Sequence, residues 1–586
     1  MDSRRPPLAP AYRTLPEYVR HWAELTPHRR AFTFVDHPTP NSRGVHRTLT
    51  WQRLDLRVRA LAARLTEQAE PGARVALLCP QGTEYITGFL AALAAGMVAV
   101  PLYPPGLPGQ GDRLVGVLGD ARPAVVVTTG RVLAEVTDFC ERAEVPVLAA
   151  DRVPDTAALN WRAPEPDSDA TAYLQYTSGS TRAPAGVEIT HANVVANARQ
   201  ALAAYGADAH PVTCVGWLPL YHDMGLVLSV AAPVVRGVPS VLMDPTAFLH
   251  EPVRWLRLLA AHPRALSAAP NFAYDYCASA VTEAQKEGLR LDGIAALING
   301  SEPVRPGTAD RFHAAFAAQG LAAEAHCPSY RLAEATVFVS AARPGRPLGR
   351  FALDRDALAA GKALPARPED PRAVLLAGCG TPVGQRVRIV DPVAHALLAE
   401  GEVGEIWVQG ANVGRGYWNN SAQTRRVFGA SLGGDAPGGW LRTGDLGTVL
   451  DGQLIVTGRL KDLIVVDGRN HYPQDVEATA QDAHQAVRRD RLAAFGVPGG
   501  TGGVGGAGER VVVVAEHTRT TSLADLDVPA LTRAVRAAVS ARHGLRLADV
   551  VLVAPGTVPR TSSGKVSRAL TRARYLEGDY ATESAG

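Results

Sequence analysis

The chain has 586 residues, enough for more than one domain and a large buried core. Its 46% hydrophobic and 20% charged residues suit a water-soluble globular protein, and a formal charge of +3 gives no basic field for nucleic acid. Six scattered cysteines (Cys79, Cys140, Cys214, Cys277, Cys327 and Cys379) form no C-x-x-C pair, which argues against a disulfide framework or zinc site and for a reducing, cytoplasmic setting.

Residues 1–19 have no apolar run behind their arginines and read as no signal peptide. The stretch RTLTWQRLDLRVRALAARL (47–65) has helical periodicity, and RVALLC (74–79) reads as a strand. Residues 85–103 carry no charge and are long enough to suggest a membrane span, but Gly96 and Pro101 interrupt them. They read instead as a buried helix followed by a core strand, VAVPL, so no span is expected. AVVVTT (124–129) is a further strand, and the alternation predicts α/β layers with largely parallel strands. From Gly401 the pattern changes to shorter β segments between Gly and Asp turns, GEVGEIWVQG and then DGQLIVTGRLKDLIVVDG. A final α+β unit follows Arg459. Within it the glycine-rich run 496–509 precedes a strand rather than a helix and lacks a Gly-Lys-Ser/Thr ending, so it reads as a hairpin connection, not a phosphate loop.

The strongest chemical signal is YLQYTSGSTRAPAGVEITHANV (173–194). An apolar run leads into Thr177, Ser178, Gly179, Ser180 and Thr181, small residues whose amides and hydroxyls can approach a polyphosphate closely. Four further segments stand out: GWLPLYHDMGL (216–226); NGSEPV (299–304) with PSYRLAEATVF (328–338); WLRTGDLG (440–447) with GRLKDLIVVDGRNHYPQDVE (458–477); and VPRTSSGKVSR (558–568). Arginine is the default cation here, and the only lysines are Lys286, Lys362, Lys461 and Lys565. Two of the four lie in these segments, where a compact charge on a flexible stem does what a planar fork cannot.

In order and spacing, the five segments resemble the adenylate-forming superfamily of acyl-CoA ligases, peptide-synthetase adenylation domains and luciferases. The wording LQYTSGST, WLPLYHDMGL, SAAPNFAYDY (267–276) and GRNHYPQDVE resembles the fatty acyl-AMP ligases of actinobacterial type in particular. The resemblance implies a multidomain α/β and α+β fold. A large N-terminal domain, 1–458, would combine layered α/β sheets with a β-barrel-like part and carry an insertion at about 343–374. A small mobile α+β domain, 459–586, would follow. It implies ATP-dependent activation of a fatty or related carboxylic acid to acyl-AMP, release of pyrophosphate, and transfer to the phosphopantetheine thiol of a separate carrier protein or carrier domain.

The implied roles fall on particular residues. Thr177, Ser178, Gly179, Ser180 and Thr181 would line the phosphates; Gly300, Ser301 and Tyr330 would enclose adenine; Asp445, helped by Arg459, would hold the ribose hydroxyls. Glu334 would hold Mg²⁺, a hard ligand for a hard cation. His222 would stand where carboxylate meets nucleotide, Lys565 would reach in from the small domain to neutralise developing charge, and Lys461 would mark the hinge. Two departures matter. The phosphate loop reads Arg182-Ala183-Pro184-Ala185-Gly186, without the superfamily's lysine, and Arg331 occupies a position that is glycine in the family. Arg331 could narrow the acyl tunnel, contact a polar substrate or prevent turnover. The last of these would make the chain a degenerate nucleotide-binding member without turnover; a plain acyl-CoA ligase and an amino-acid adenylation domain using Asp275 are separate competing readings.

Overall fold

The computed structural model describes residues 11–106, 111–141, 144–165, 167–177, 184–433, 438–498, 509–519, 521, 526–561 and 564–580. Helix Thr83–Ala94 is apolar on every side, and all its residues but Glu84 are buried. Such a helix must lie between layers. It is followed by the wholly buried strand Val98–Pro101, as the pattern predicts. No helix among the described residues is long and apolar enough to cross a membrane.

Strand Val98–Pro101 belongs to a seven-stranded sheet among the described residues. There Thr171–Tyr176, Val98–Pro101, Arg74–Leu77, Val125–Thr128 and Val147–Ala149 run parallel, while Gly186–Thr190 and Gly416–Tyr417 add an antiparallel edge. A second sheet, of nine strands, has a parallel centre formed by Arg30–Asp36, Ser240–Met243, Thr213–Gly216, Ala265–Ala269, Ile294–Asn299 and His326–Arg331. Antiparallel strands Val45–Thr50 and Phe338–Ala341 flank that centre. One large apolar cluster, including Trp22, Trp51, Phe89, Tyr173 and Trp255, joins both sheets.

The helical reading of 47–65 needs correction at its start. Val45–Thr50 is a strand, and the helix is Trp51–Thr66. Thr50 caps it by accepting a hydrogen bond from the Arg53 amide at 3.2 Å, a local signal that ends one element and starts the next. Beyond residue 384, Gln385–Val390, Gly404–Gly410, Leu441–Leu450 and Gln453–Arg459 form an antiparallel four-stranded sheet. The hairpin Arg350–Asp354 with Ala373–Ala377 lies beside it, linked by the bridge of Gly378 to Ile455.

The C-terminal unit has its own core. Strands Val487–Pro498, Glu509–His517 and Leu547–Val553 form one sheet, with an apolar cluster on each face built wholly from residues 464–580. The first two pair antiparallel, Pro498 opposite Glu509, so the glycine-rich run does join a hairpin; residues 499–508 themselves lie outside the described set.

Candidate active site

Parallel sheets bind ligands at the carboxyl ends of their strands, because the loops that follow can diverge there. Four such ends of the nine-stranded sheet converge here. After Thr213–Gly216 comes the segment with His222 and Asp223, after Ala265–Ala269 comes Asn271, and after Ile294–Asn299 come Gly300 and Ser301. His326–Arg331 ends on Tyr330 and Arg331. Of these, His222, Asp223, Asn271, Ser301, Tyr330 and Arg331 line a cleft of about 1030 Å³ together with Thr177, Glu334, Asp445, Arg459, Lys461 and Lys565, while Gly300 supports Ser301 from behind the lining. Residues Ser178, Gly179, Ser180 and Thr181, with Arg182 and Ala183, lie outside the described residues.

Two glycines are fixed by close backbone approach. A Cβ on Gly300 would stand 2.6 Å from the Ser329 carbonyl oxygen, and one on Gly225, inside HDMG, 2.2 Å from that of Pro219. Ser301, next to Gly300, takes φ +79, which turns its backbone sharply at the cleft.

At one end of the cleft the Tyr330 hydroxyl donates to Asp445 Oδ2 at 2.8 Å, while Arg459 Nε donates to Asp445 Oδ1 at 3.0 Å. Strand register holds this arrangement, since Asp445 lies directly opposite Arg459. Burial raises the Tyr330 phenol well above its ordinary value, so it stays a donor. Glu334 sits in the turn Ala333–Ala335, followed by Thr336 at φ +67, and accepts from the Tyr417 hydroxyl at 2.8 Å. Burial raises its carboxyl, and the Tyr417 hydrogen bond opposes that rise.

The centre of the cleft is a chain of charge. His222 Nδ1 is 2.5 Å from Asp223 Oδ1. Arg331 Nη1 donates to both Asp223 oxygens, at 2.7 and 2.5 Å, and Arg331 Nε donates to Ser301 Oγ at 2.5 Å. Burial alone would raise Asp223, but Arg331 and His222 together hold its carboxyl well below the usual carboxylate range. Burial lowers His222, with Asp223 opposing. Lys565 enters from the other side of the cleft on a turn in which the Thr561 amide donates to the Lys565 carbonyl at 2.8 Å. Burial and the nearby Arg331 guanidinium pull the Lys565 ammonium from 10.5 down to about 7.

Reading by sequence missed several of these partners. Asp223 lay inside a quoted segment, but nothing local tied it to a residue 108 positions away. Glu302, whose Oε1 accepts from the Phe272 amide at 2.8 Å, likewise lay inside NGSEPV with nothing to name its partner, and Tyr417 and Arg113, which donates to the Thr177 carbonyl at 2.7 Å, carry no local signature at all. The small unit is held over the cleft by Arg305 to Asp490 at 2.6 Å, and its lysine turn is steadied by Arg568 bound to both oxygens of Glu477 at 2.6 and 2.7 Å. Asp275 does not line the cleft: it accepts from Thr308 at 2.6 Å and Arg311 at 2.7 Å, so the amino-acid reading loses its anchor.

A cleft between a large α/β unit and a small α+β unit, with a lysine supplied by the latter, is the feature to compare with known proteins. The family model described as AMP-binding enzyme matches residues 19–418, and one described as the AMP domain of Disco-interacting protein 2-like proteins matches 461–585. The long-chain-fatty-acid–AMP ligase FadD26 of Mycobacterium marinum is 42% identical, the match covering 97% of this chain and 98% of that protein. The 4-hydroxyphenylalkanoate adenylyltransferase of Mycobacterium tuberculosis is 40% identical over 97% and 92%. The Legionella pneumophila fatty acyl-adenylate ligase solved with acyl adenylate and pyrophosphate is 32% identical, covers 97% of each chain and superposes with a TM-score of 0.75. The chain belongs to the AMP-binding, adenylate-forming enzymes, in the branch of the fatty acyl-AMP ligases.

Proposed function

We propose that this enzyme joins a fatty or related carboxylic acid to AMP and then passes the acyl group to the phosphopantetheine thiol of a separate carrier protein. In the first step a carboxylate oxygen attacks the α-phosphorus of ATP, the bond to the bridging oxygen breaks, and pyrophosphate leaves. In the second the thiol sulfur attacks the acyl carbon, AMP leaves, and the thiol proton passes to solvent. The observation that carries the reading is the convergence of His222, Arg331 and Lys565 beside the Tyr330–Asp445–Arg459 group in one cleft.

Asp445 would take the two ribose hydroxyls as acceptor, and Tyr330 with Gly300 and Ser301 would enclose adenine. Thr177 to Thr181 would line the phosphates. His222, its Nδ1 committed to Asp223, would present Nε2 to the acid. Lys565 as ammonium would offset the charge that builds between carboxylate and α-phosphate, an interaction made chiefly in the transition state. Glu334 fits Mg²⁺ as a single hard oxygen donor. No group of three or more metal-ligating side chains occurs among the described residues, so such an ion would take its other ligands from phosphate and water. When bound it would supply charge neutralisation on the phosphate oxygens.

We divide the chain at Gly458/Arg459, with Lys461 at the hinge and an insertion at about 343–374. Part of that insertion, Arg350–Asp354 and Arg355–Ala359, packs on the small unit: Leu358 clusters with Tyr472, and Arg355 Nη1 lies 3.0 Å from His543 Nδ1. This packing supports restricted movement of the small domain and a carrier thiol, not CoA, as acceptor. The buried free cysteines support a cytoplasmic location. The test is acid-dependent pyrophosphate release across short to long fatty acids, with hydroxylamine trapping acyl-AMP and Lys565→Ala as control. Release that is insensitive to Lys565→Ala would overturn the assignment. Equal transfer to CoA and to a carrier would overturn the acceptor.

A further inference from the structure

Arg331 is a nearly buried cation in the cleft wall, and its contacts do not use all of it. The side chain is 7% exposed, and so is nearly all removed from water, as is its partner Asp223 at 6%. Strand register helps to put it there. Between Tyr330 and Arg331 the pairing with Phe338–Ala341 slips, Tyr330 lying opposite Ser340 and Arg331 opposite Phe338. Neighbouring residues of a regular strand point to opposite faces, yet both of these line the cleft.

The guanidinium has five N–H donors. Nη1 spends its pair on the two Asp223 oxygens, and Nε donates to Ser301. Nη2 has no hydrogen-bond partner among the described residues, and it is not among the sealed, unpaired atoms of the interior. Two charge-bearing donors therefore open on the cleft. They cannot readily turn away, because rotation would take from the buried Asp223 its permanent cation and leave it only the His222 ring and the Met224 amide. Their place is between the residues assigned to adenine, Ser301 and Tyr330, and those assigned to the reacting carboxyl, His222 and Lys565.

We propose that Arg331 is the residue that selects the acid, its Nη2 edge donating to an oxygen carried on the acyl group close to the carboxyl, so that the enzyme takes hydroxy- or oxo-substituted acids in preference to unsubstituted alkyl acids. This rests on the adenylation reading above. An alkyl chain laid over Nη2 strips its water and returns no acceptor, whereas a substituent oxygen restores the bond. Sites built to hydrogen-bond a substrate group reject the analogue lacking it far more strongly than apolar pockets reject a missing methylene.

The experiment is acid-dependent ATP–pyrophosphate exchange by the full-length enzyme with octanoic acid and its α-hydroxy and β-hydroxy derivatives, repeated on a hexadecanoyl chain. The expected kcat/KM ratio favours a hydroxylated acid by at least about 100-fold in the wild type. It should fall to within about tenfold in Arg331→Lys, which keeps a charge for Asp223 but lacks the second edge. Arg331→Gln is the second variant, and ATP binding by calorimetry reports whether each remains folded. Equal use of plain and hydroxylated acids by the wild type would overturn the inference, as would a preference that survives both variants. Exchange with no acid at all, while ATP still binds, would instead strike the adenylation reading and this inference with it.

Discussion

In the proposed reaction Lys565 acts as a cation, yet the cleft holds its ammonium down to about 7. A lowered value leaves the group charged below about 7 and neutral above it. For the free enzyme, kcat/KM for adenylation should therefore fall as pH rises from about 7 toward 9. Lys565→Arg, which stays charged throughout, should be slower but flat over that interval. An undiminished wild-type rate at pH 9 would mean that the ammonium is either not depressed or not required. Lys565→Ala should cost about 3 kcal/mol of transition-state stabilisation, roughly 100-fold in kcat, the scale of losing one preorganised charge partner. Gly300→Ala tests position rather than charge. Its Cβ would stand 2.6 Å from the Ser329 carbonyl oxygen, where backbone has to move. It should raise the KM for ATP and lower stability by about 1–3 kcal/mol, readable by isothermal titration and thermal melting.

The proposed restriction on the acceptor rests on the hairpin Arg350–Asp354 with Ala373–Ala377 and its short helix Arg355–Ala359. Leu353 and Leu358 are nearly fully buried, in a cluster that also takes Leu446 from the large unit and Tyr472 from the small one. One small apolar cluster thus spans both sides of the boundary between the two units. Leu358→Ala should destabilise this junction by about 2–3 kcal/mol. The measured consequence should be a rise in acyl-CoA formed relative to acyl-carrier when both acceptors are offered. An unchanged ratio would mean that the hairpin does not set the acceptor.

Across the whole molecule, the contrast is between one large core that joins both parallel sheets and two small clusters on either face of the C-terminal sheet. The small clusters draw on residues 464–580 alone, and the boundary carries ion pairs such as Arg305 with Asp490 beside one small apolar cluster. A fragment of residues 459–586 should therefore unfold cooperatively in urea on its own, and should do so with a smaller m-value than the full chain because it exposes less surface. A non-cooperative transition would show that the small unit borrows its stability from the large one.

The sequence by itself determined the α/β layering, because period and burial follow from local pattern, as in 83–102. Its contiguous motifs also supplied Tyr330, Glu334, Asp445, Arg459 and Lys565, which all line one cleft. It misread 47–50, where a hydroxyl cap ended a strand inside what looked like one continuous helical pattern. It left the effect of Arg331 open, since a cation's chemistry depends on what neutralises it. Asp223 and Ser301 arrive from segments 108 and 30 positions away, and only the packing of successive strand ends brings them within 2.7 Å of that guanidinium. Tyr417 on Glu334 and Glu302 at the Phe272 amide are of the same kind, single side chains whose meaning is a neighbour supplied by the sheet. Motifs record what must be contiguous to work. Charge pairing across a cleft needs only proximity in space, which the tertiary fold alone decides.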